Sequence, residues 1–319
     1  MFILLLGCGP CVALSFALSV SIDKRCLLSS VTIILPARNE AKALSALLPE
    51  LKRCMPLAEI LVVDDGSNDQ SVALCQDAHI QVHSHPYPKG NGAAIKSGAR
   101  VATGNVLIFM DADGQHRVED IPALLKKFDE GYDMVVGARQ SGSHAGMHRA
   151  VANDFFSRLA SWMVMQTVDD LTSGFRIVRA DKFRKFLYLL PNGFSYPTTI
   201  TMSFFRAGYS VGYVPIHTPR RIGKSHIRPL RDGVRFLLII IKIGTLYSPQ
   251  KLFLPISAGF LVTGLVYYFY TFLVSGRFTN MSALLFISAI FTFLIGIVSE
   301  QVSALHYKGM DDGPEKPKA

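Results

Sequence analysis

Two carboxylates one residue apart, Asp111 and Asp113, end the apolar run Val106-Leu107-Ile108-Phe109-Met110 and lead into Gly114-Gln115-His116. In an extended chain residues i and i+2 point to the same side, so the two side chains converge just past the end of a buried strand. That is where open α/β sheets bind ligands. Paired hard oxygens there suit Mg²⁺ or Mn²⁺ carrying a diphosphate. The competing reading is a solvated turn, because Asp and Gly are common turn formers.

The elements that must present this pair follow from periodicity. Val31 to Leu35 reads as a strand, and Leu44, Leu47, Leu48 and Leu51 then repeat at helical spacing. Ile60 to Val63 is the next strand and stops at Asp64-Asp65-Gly66-Ser67. A short helix, a strand at Ile80-Gln81-Val82, a helix over Ala93 to Val101 and the strand Val106 to Met110 come next. Ile121, Leu124, Leu125 and Phe128 resume the helical spacing. Alternation of this kind over Val31 to about His217 predicts an α/β fold, a mostly parallel sheet with helices on both faces.

The 319 residues are 50% hydrophobic and only 18% charged, below the roughly 25% charged of soluble domains. The net charge of +9 is concentrated at Arg220, Arg221, Lys224, Arg228, Arg231, Arg235, Lys242 and Lys251, with Asp232 the one acid among them. This cluster abuts long apolar runs, which favours membrane phosphate or an anionic substrate and disfavours nucleic acid. The five cysteines, Cys8, Cys11, Cys26, Cys54 and Cys75, are odd in number and outline no disulfide framework. Cys8-Gly9-Pro10-Cys11 matches a redox motif but has no preceding strand, so reduced thiols facing a cytoplasm are the expectation.

Leu252 to Val274 and Met281 to Ser299 are uncharged and long enough to span a bilayer. With Ser275 to Asn280 as the turn they read as a transmembrane hairpin. The basic residues before Leu252, against Arg277 alone in the turn, put the preceding chain and the tail in the cytoplasm. Met1 to Ile22 is also uncharged and is followed by Lys24 and Arg25; it lacks the basic start of a signal peptide, leaving a signal anchor or a start set too far upstream. Between Arg228 and Lys242 basic residues surround Phe236 to Ile241, as in a helix lying in the membrane interface. The predicted organisation is an apolar segment over 1–25, an α/β domain over 30–227, an interfacial helix over 228–248, two spans over 252–305 and a polar tail over 306–319.

Several strand ends carry polar motifs in a fixed order: Pro36-Ala37-Arg38-Asn39-Glu40, Asp64-Asp65-Gly66-Ser67-Asn68-Asp69, Lys89-Gly90-Asn91-Gly92-Ala93-Ala94, and Asp111-Ala112-Asp113-Gly114-Gln115-His116. In this order and spacing the chain resembles glycosyltransferase family 2, over roughly Val31 to Arg235. Gly137-Ala138-Arg139, Asp170 to Arg176 and Arg220 to Ser225 are similar to the branch that includes dolichol-phosphate mannosyltransferases and undecaprenyl-phosphate sugar transferases. The chain departs from that branch at His226, where Lys is frequent, at Ala37-Arg38, where the first motif usually carries Tyr-Asn-Glu, and in its apolar N-terminal segment.

The resemblance implies a GT-A fold and an inverting transfer of a sugar from a UDP- or GDP-sugar to an undecaprenyl or dolichyl phosphate, at the cytoplasmic face of the inner or plasma membrane. It leaves a homo-oligomer open. It implies that Pro36, Asn39, Glu40, Asp64 and Asp65 line the donor's base and ribose, with Lys89 a further donor contact. Asp111 and Asp113 would hold Mg²⁺ or Mn²⁺, and Gln115 would meet the acceptor phosphate or the metal shell. Arg139, Arg149, Arg176 and Arg220 would bind the acceptor phosphate, for which a planar guanidinium is well shaped. The competing role for Asn39 is a helix N-cap.

Other candidates carry less. Gly90-Asn91-Gly92 lacks the Gly-Lys-Ser/Thr ending of a phosphate loop and reads as a tight turn opening a helix. His83 and His85 share one side of an extended segment but have no third ligand nearby. Trp162, with Phe155 and Leu159, reads as core or membrane-facing. A processive polysaccharide synthase would carry Gln-x-x-Arg-Trp, which Arg158 to Trp162 does not match. A non-catalytic scaffold is disfavoured by the presence of Asp111, Asp113, Arg139 and Arg176 together.

Overall fold

The structure, a computed structural model, describes residues 31–139, 157–193, 195–216, 238, 241, 244–245 and 248–311. The expected N-terminal apolar segment, the Cys8–Cys11 motif, Arg149, Arg220 and nearly all of the expected interfacial helix lie outside the described residues. Of that helix, residues 238, 241, 244 and 245 are helical, and Leu238 and Ile241 are exposed.

Seven strands form one sheet: β1 (Val31–Ala37), β2 (Glu59–Asp64), β3 (Gln81–Ser84), β4 (Val106–Phe109), β5 (Met134–Arg139), β6 (Arg176–Arg179) and β7 (Val211–Ile216). Their order is β3-β2-β1-β4-β6-β5-β7. β1 runs parallel to β2 and β4, β2 to β3, and β5 to β7. β6 lies antiparallel between β4 and β5. The alternation of apolar runs and helices thus forms the expected mostly parallel sheet, with one reversed strand that periodicity did not reveal. Strand order turns back between β1 and β4, so the crevice beyond their carboxyl ends is the place for a ligand.

The helices between the strands in chain order are α1 (Ala41–Cys54), α2 (Ser71–Asp77), α3 (Asn91–Val101), α4 (Ile121–Phe128), α5 (Ala180–Arg184) and α6 (Tyr196–Arg206). Leu44, Leu47, Leu48 and Leu51 of α1 are buried, as are Ile121, Leu124 and Phe128 of α4. They pack with Ile33, Leu35, Val62 and Ile108 in one apolar core. α3 lies close on the other face: a Cβ at Gly98 would sit 2.5 Å from Ile34 Cγ2 and 3.0 Å from Val63 Cγ2. Glycine there lets the helix approach the strands that end at the acidic motifs.

The described chain forms two compact units. One holds the seven strands with residues 173–196. The other takes in residues 157–172 and 197–209 and the C-terminal helices α7 (Pro249–Ser275) and α8 (Asn280–Asp311). α7 has 27 residues and α8 32, lengths of about 40 Å or more at 1.5 Å per residue against a hydrocarbon core of about 30 Å. Only 11% and 17% of their apolar windows are buried, unlike the core helices of a soluble domain. α7 stops at Gly276, in the left-handed region at φ 63°, whose N–H donates to the Phe272 carbonyl at 2.9 Å. Thr279 opens α8 by accepting the Ser282 N–H on its Oγ1 at 3.3 Å. Small residues let the two helices touch: a Cβ at Gly264 would lie 3.1 Å from Phe286, and one at Gly296 2.9 Å from Phe253. Ser257 Oγ donates across the pair to the Ala289 carbonyl at 2.8 Å. At the start of α7, Glu300 pairs with Arg206 at 3.2 Å, and Lys251 Nζ donates to the Met163 carbonyl at 3.0 Å.

Candidate active site

The acidic motif emerges from β4 beside β1, where the Met110 N–H still donates to the Ile34 carbonyl at 3.2 Å. Asp111 and Asp113 follow at once, both partly covered. Asp113 Oδ1 accepts the Gln115 N–H at 3.1 Å, and Gly114, at φ 74°, lets the chain turn sharply there. A turn is therefore present at the carboxyl end of β4, and it carries both carboxylates.

Asp111 is held from two sides, by His116 and by Gly174. Its backbone N–H donates to His116 Nδ1 at 3.1 Å, which leaves the imidazole proton on Nε2. His116 is buried and stacks on Phe175 with centroids 5.0 Å apart. The Asn91 side chain at the start of α3 favours the charged form of the Asp111 carboxylate. On the remaining flank Gly174 leaves no room, since a Cβ there would meet Asp111 Oδ2 at 2.8 Å. Burial raises the Asp111 carboxyl above the usual range and Asp113 adds to the rise, while His116, Asn91 and Arg139 act against it. Burial likewise lowers His116, which favours the neutral ring its hydrogen bond requires.

Arg139 ends β5 within electrostatic reach of Asp111 and His116. Arg176 opens β6, registered with Phe109 and Val136. Its side chain is fully buried; the guanidinium donates to the Ser173 carbonyl and lies 5.9 Å from the Tyr196 ring. Tyr196, also buried, is shifted upward by its burial and by Asp111. Arg139 is partly open and Arg176 enclosed.

The donor-side residues gather at the ends of β1 and β2. Pro36 and Ala37 register with Val63 and Asp64. Asn39 does not cap α1. It sits at φ 57° with Oδ1 accepting the Asn68 N–H at 2.8 Å. Glu40 occupies the N-cap position without its side chain capping the helix. Its own N–H donates to Ser71 Oγ, and the Ala41 N–H to Asp69 Oδ2, each at 3.1 Å. The next loop therefore supplies the cap, which leaves Asn39 exposed at the strand end. Asp64 is buried and accepts the Ser67 N–H at 3.0 Å. Asp65 is closed in: Oδ1 takes His85 Nδ1 and the Lys89 N–H, and Oδ2 the Gly90 N–H, all at 2.8 Å. Burial would raise its carboxyl, but these donors outweigh it and hold it low. Lys89 is exposed, its Nζ 5.5 Å from the Tyr87 ring.

Gly90-Asn91-Gly92 is the turn that opens α3, as expected, with Gly90 at φ 105° and packed on Asn192. His85 is a buried link between Asp65 and Ser97. Trp162 is 46% exposed and so is not a core residue. Among the described residues no cluster of three or more His, Cys, Asp or Glu encloses a metal. The donor set at Asp111 and Asp113 fits a hard cation that takes its other ligands from a diphosphate and water. A cation there would also relieve the two carboxylates of their mutual repulsion.

A family model for Glycosyl transferase family 2 matches residues 32–187, and one for the GtrB C-terminal hairpin matches residues 248–305. The chain belongs to glycosyl transferase family 2. It is a glycosyltransferase with a GT-A-type core and a C-terminal pair of apolar helices. It is 26% identical over 215 residues to a dolichyl-phosphate hexose transferase of Haloferax volcanii, covering 67% of this chain and 93% of that protein. It is 29% identical to the polyprenol monophosphomannose synthase of Mycolicibacterium smegmatis, covering 60% and 79%. The glucosyl-3-phosphoglycerate synthase of Mycobacterium tuberculosis, solved with Mn²⁺, UDP-glucose and phosphoglyceric acid, shares the fold at a TM-score of 0.54 and 17% identity, over 67% of this chain and 79% of that one. Reading along the chain missed Asn91, His116 and Gly174 as parts of the site. His116 and Gly174 lie inside motifs already quoted, but nothing in one dimension tells that they touch Asp111.

Proposed function

We propose that this glycosyltransferase moves one sugar from a UDP- or GDP-sugar to an undecaprenyl or dolichyl phosphate at the cytoplasmic face of the membrane. An acceptor phosphate oxygen attacks the anomeric carbon on the face opposite the nucleotide and forms the new C–O bond. The bond to the nucleoside diphosphate breaks, and the diphosphate leaves with the electron pair. The observation that carries this reading is the placement of Asp111 at the carboxyl end of β4, with its N–H held by His116 and its Oδ2 flanked by Gly174. It is supported by the hairpin match and by relatives named for polyprenyl-linked acceptors.

Asp111 and Asp113 would hold Mg²⁺ or Mn²⁺, which when bound supplies positive charge against the departing diphosphate. Pro36, Asn39, Glu40 and Asp64 frame the nucleoside at the ends of β1 and β2, with Lys89 at the rim. Asp65 acts on that pocket through the loop it holds. A lipid phosphate is already anionic near neutral pH, so it needs counter-charge more than a base. Arg139 supplies it directly, Arg149 and Arg220 extend it along the chain, and Arg176 adds a fixed positive charge from below. Gln115 lies two residues beyond Asp113, within the turn that would face both substrates.

The test is transfer by the full-length protein in detergent, with a panel of UDP- and GDP-sugars and with undecaprenyl and dolichyl phosphate, the product read by mass spectrometry. A lipid-linked sugar phosphate should form with one donor, and Asp113→Ala should abolish it while membrane insertion persists. Full turnover by Asp113→Ala after chelation of divalent ions would refute the cation assignment, and no lipid-linked product from any pair would refute the acceptor.

A further inference from the structure

Trp162 is the one tryptophan of the chain, and the proposed transfer gives it no role. Residues 157–164 are helical. Ala160 and Met163 are buried on that helix, whereas Trp162 is 46% exposed and Met165, just past the helix end, 70%. The end is pinned. Ser161 Oγ donates to the Ser157 carbonyl at 2.7 Å and accepts the Val168 N–H at 3.0 Å. Residues 165–168 are thereby folded back on the helix, with Trp162 and Met165 left outside.

Single exposed apolar side chains are ordinary; the place of these two is not. Lys251, in the first turn of α7, donates from Nζ to the Met163 carbonyl at 3.0 Å. A cation thus meets one of the carbonyls that a helix end leaves open. The buried side of the helix is covered by the segment before α7, since a Cβ at Gly244 would overlap Met163 Cε. That segment is tied to the hairpin in turn, because Ser303 Oγ of α8 donates to the Thr245 carbonyl at 3.3 Å. It also exposes Leu238 and Ile241. The uncharged run of α7 begins at Leu252, the residue after Lys251. The helix end carrying Trp162 is therefore fastened where a span would enter the bilayer.

We propose that this helix end is a further membrane contact, separate from the hairpin and from the expected interfacial helix. Trp162 and Met165 rest at the boundary between phospholipid headgroups and acyl chains. The occupant is the bilayer, because the patch is joined through Lys251 to the first turn of α7 and lies at the end of the hairpin that also exposes Leu238 and Ile241. The polar layer on each side of a bilayer is about 6 Å deep, comparable with the reach of one lysine side chain. Tryptophan suits that layer, with an apolar ring and one N–H for water or a headgroup. Gln166 and Thr167, both exposed next to Met165, give the patch a polar rim. The inference rests on α7 and α8 crossing the bilayer and on nothing about donor or acceptor.

A lone tryptophan lets the unaltered full-length protein report on itself. It is placed in phosphatidylcholine vesicles, and Trp162 emission is compared in lipids brominated near the headgroups, in lipids brominated near the chain ends, and with iodide on both faces. Headgroup-side bromine should quench it most, chain-end bromine less, and iodide less than it quenches free tryptophan. Met165→Trp in Trp162→Phe protein should repeat that order. Phe260→Trp in the same background, near the middle of α7, should instead be quenched most by chain-end bromine. Strong iodide quenching of Trp162 with no response to either brominated lipid would place it in water and overturn the contact. Protection from iodide and bromine alike would mean that protein, such as a second copy of the chain, covers it, and would overturn the contact equally. If the tryptophan at 260 also ignores both lipids, the hairpin does not cross, and the inference falls with that reading.

Discussion

At the residue scale the site depends on how little freedom Asp111 retains. Its amide is held by His116, and the space beside Oδ2 is kept by the missing side chain of Gly174. Gly174 lacks a positive φ, so glycine is needed there for room and not for backbone conformation. Gly174→Ala would push a methyl group to 2.8 Å from the oxygen and force the carboxylate to rotate. A displacement of about 1 Å at a reacting centre costs roughly 100-fold in rate. We therefore expect Gly174→Ala to lose about that much kcat with the melting temperature nearly unchanged, as measured by transfer kinetics beside thermal unfolding. A large fall in melting temperature with kcat intact would mean that Gly174 serves packing alone.

At the scale of elements, the strand ends are tied by carboxylates whose pKa values fix the pH dependence of stability. Burial raises Asp65, but His85 and the Lys89 and Gly90 amides outweigh it. Burial raises Glu59, but Thr32 Oγ1 at 2.5 Å and Thr103 outweigh it. Burial raises Asp133, but Lys182 Nζ at 2.5 Å and Ser210 outweigh it. All three end below their ordinary values. A carboxylate with a depressed folded pKa contributes stability that is complete above the unfolded value of about 4 and is lost as pH falls through the folded one. The urea midpoint should thus lose the contribution of these three groups as pH drops below about 4, and Asp133→Asn should flatten that part of the decline; an unaltered acid slope in the variant would show that Asp133 is not a linked group. These ties also mark where the sequence was legible. The α1 face, the β4 run and the hairpin follow from local periodicity, and each was readable. The α1 cap comes from Ser71 and Asp69, about thirty residues on, so the sequence left the cap as a competing role for Asn39. The burial of Arg176 was not legible because it depends on β6 entering the sheet between β4 and β5. Asn91 and Gly174 gain their meaning only once α3 and residue 174 meet the end of β4.

At the scale of the whole molecule, the question is which side of the bilayer the chemistry occupies. The turn joining α7 and α8 holds one basic residue, Arg277, while Lys251 lies in the first turn of α7 and the cluster from Arg220 to Lys242 precedes it. Basic loops are retained in the cytoplasm, so the turn should face the opposite side and the sheet-bearing unit the cytoplasm. The protein carries its own reporter, because Cys54 at the end of α1 is exposed and Cys75 is buried. With Cys8, Cys11 and Cys26 changed to Ser, a Ser275→Cys variant has one new thiol, at an exposed position at the end of α7. A membrane-impermeant maleimide should label that thiol in intact cells and reach Cys54 only after permeabilisation. The reverse pattern would put the sheet-bearing unit outside, away from nucleotide sugars made in the cytoplasm. Labelling of both thiols from one side would mean that α7 and α8 lie along the membrane surface instead of crossing it.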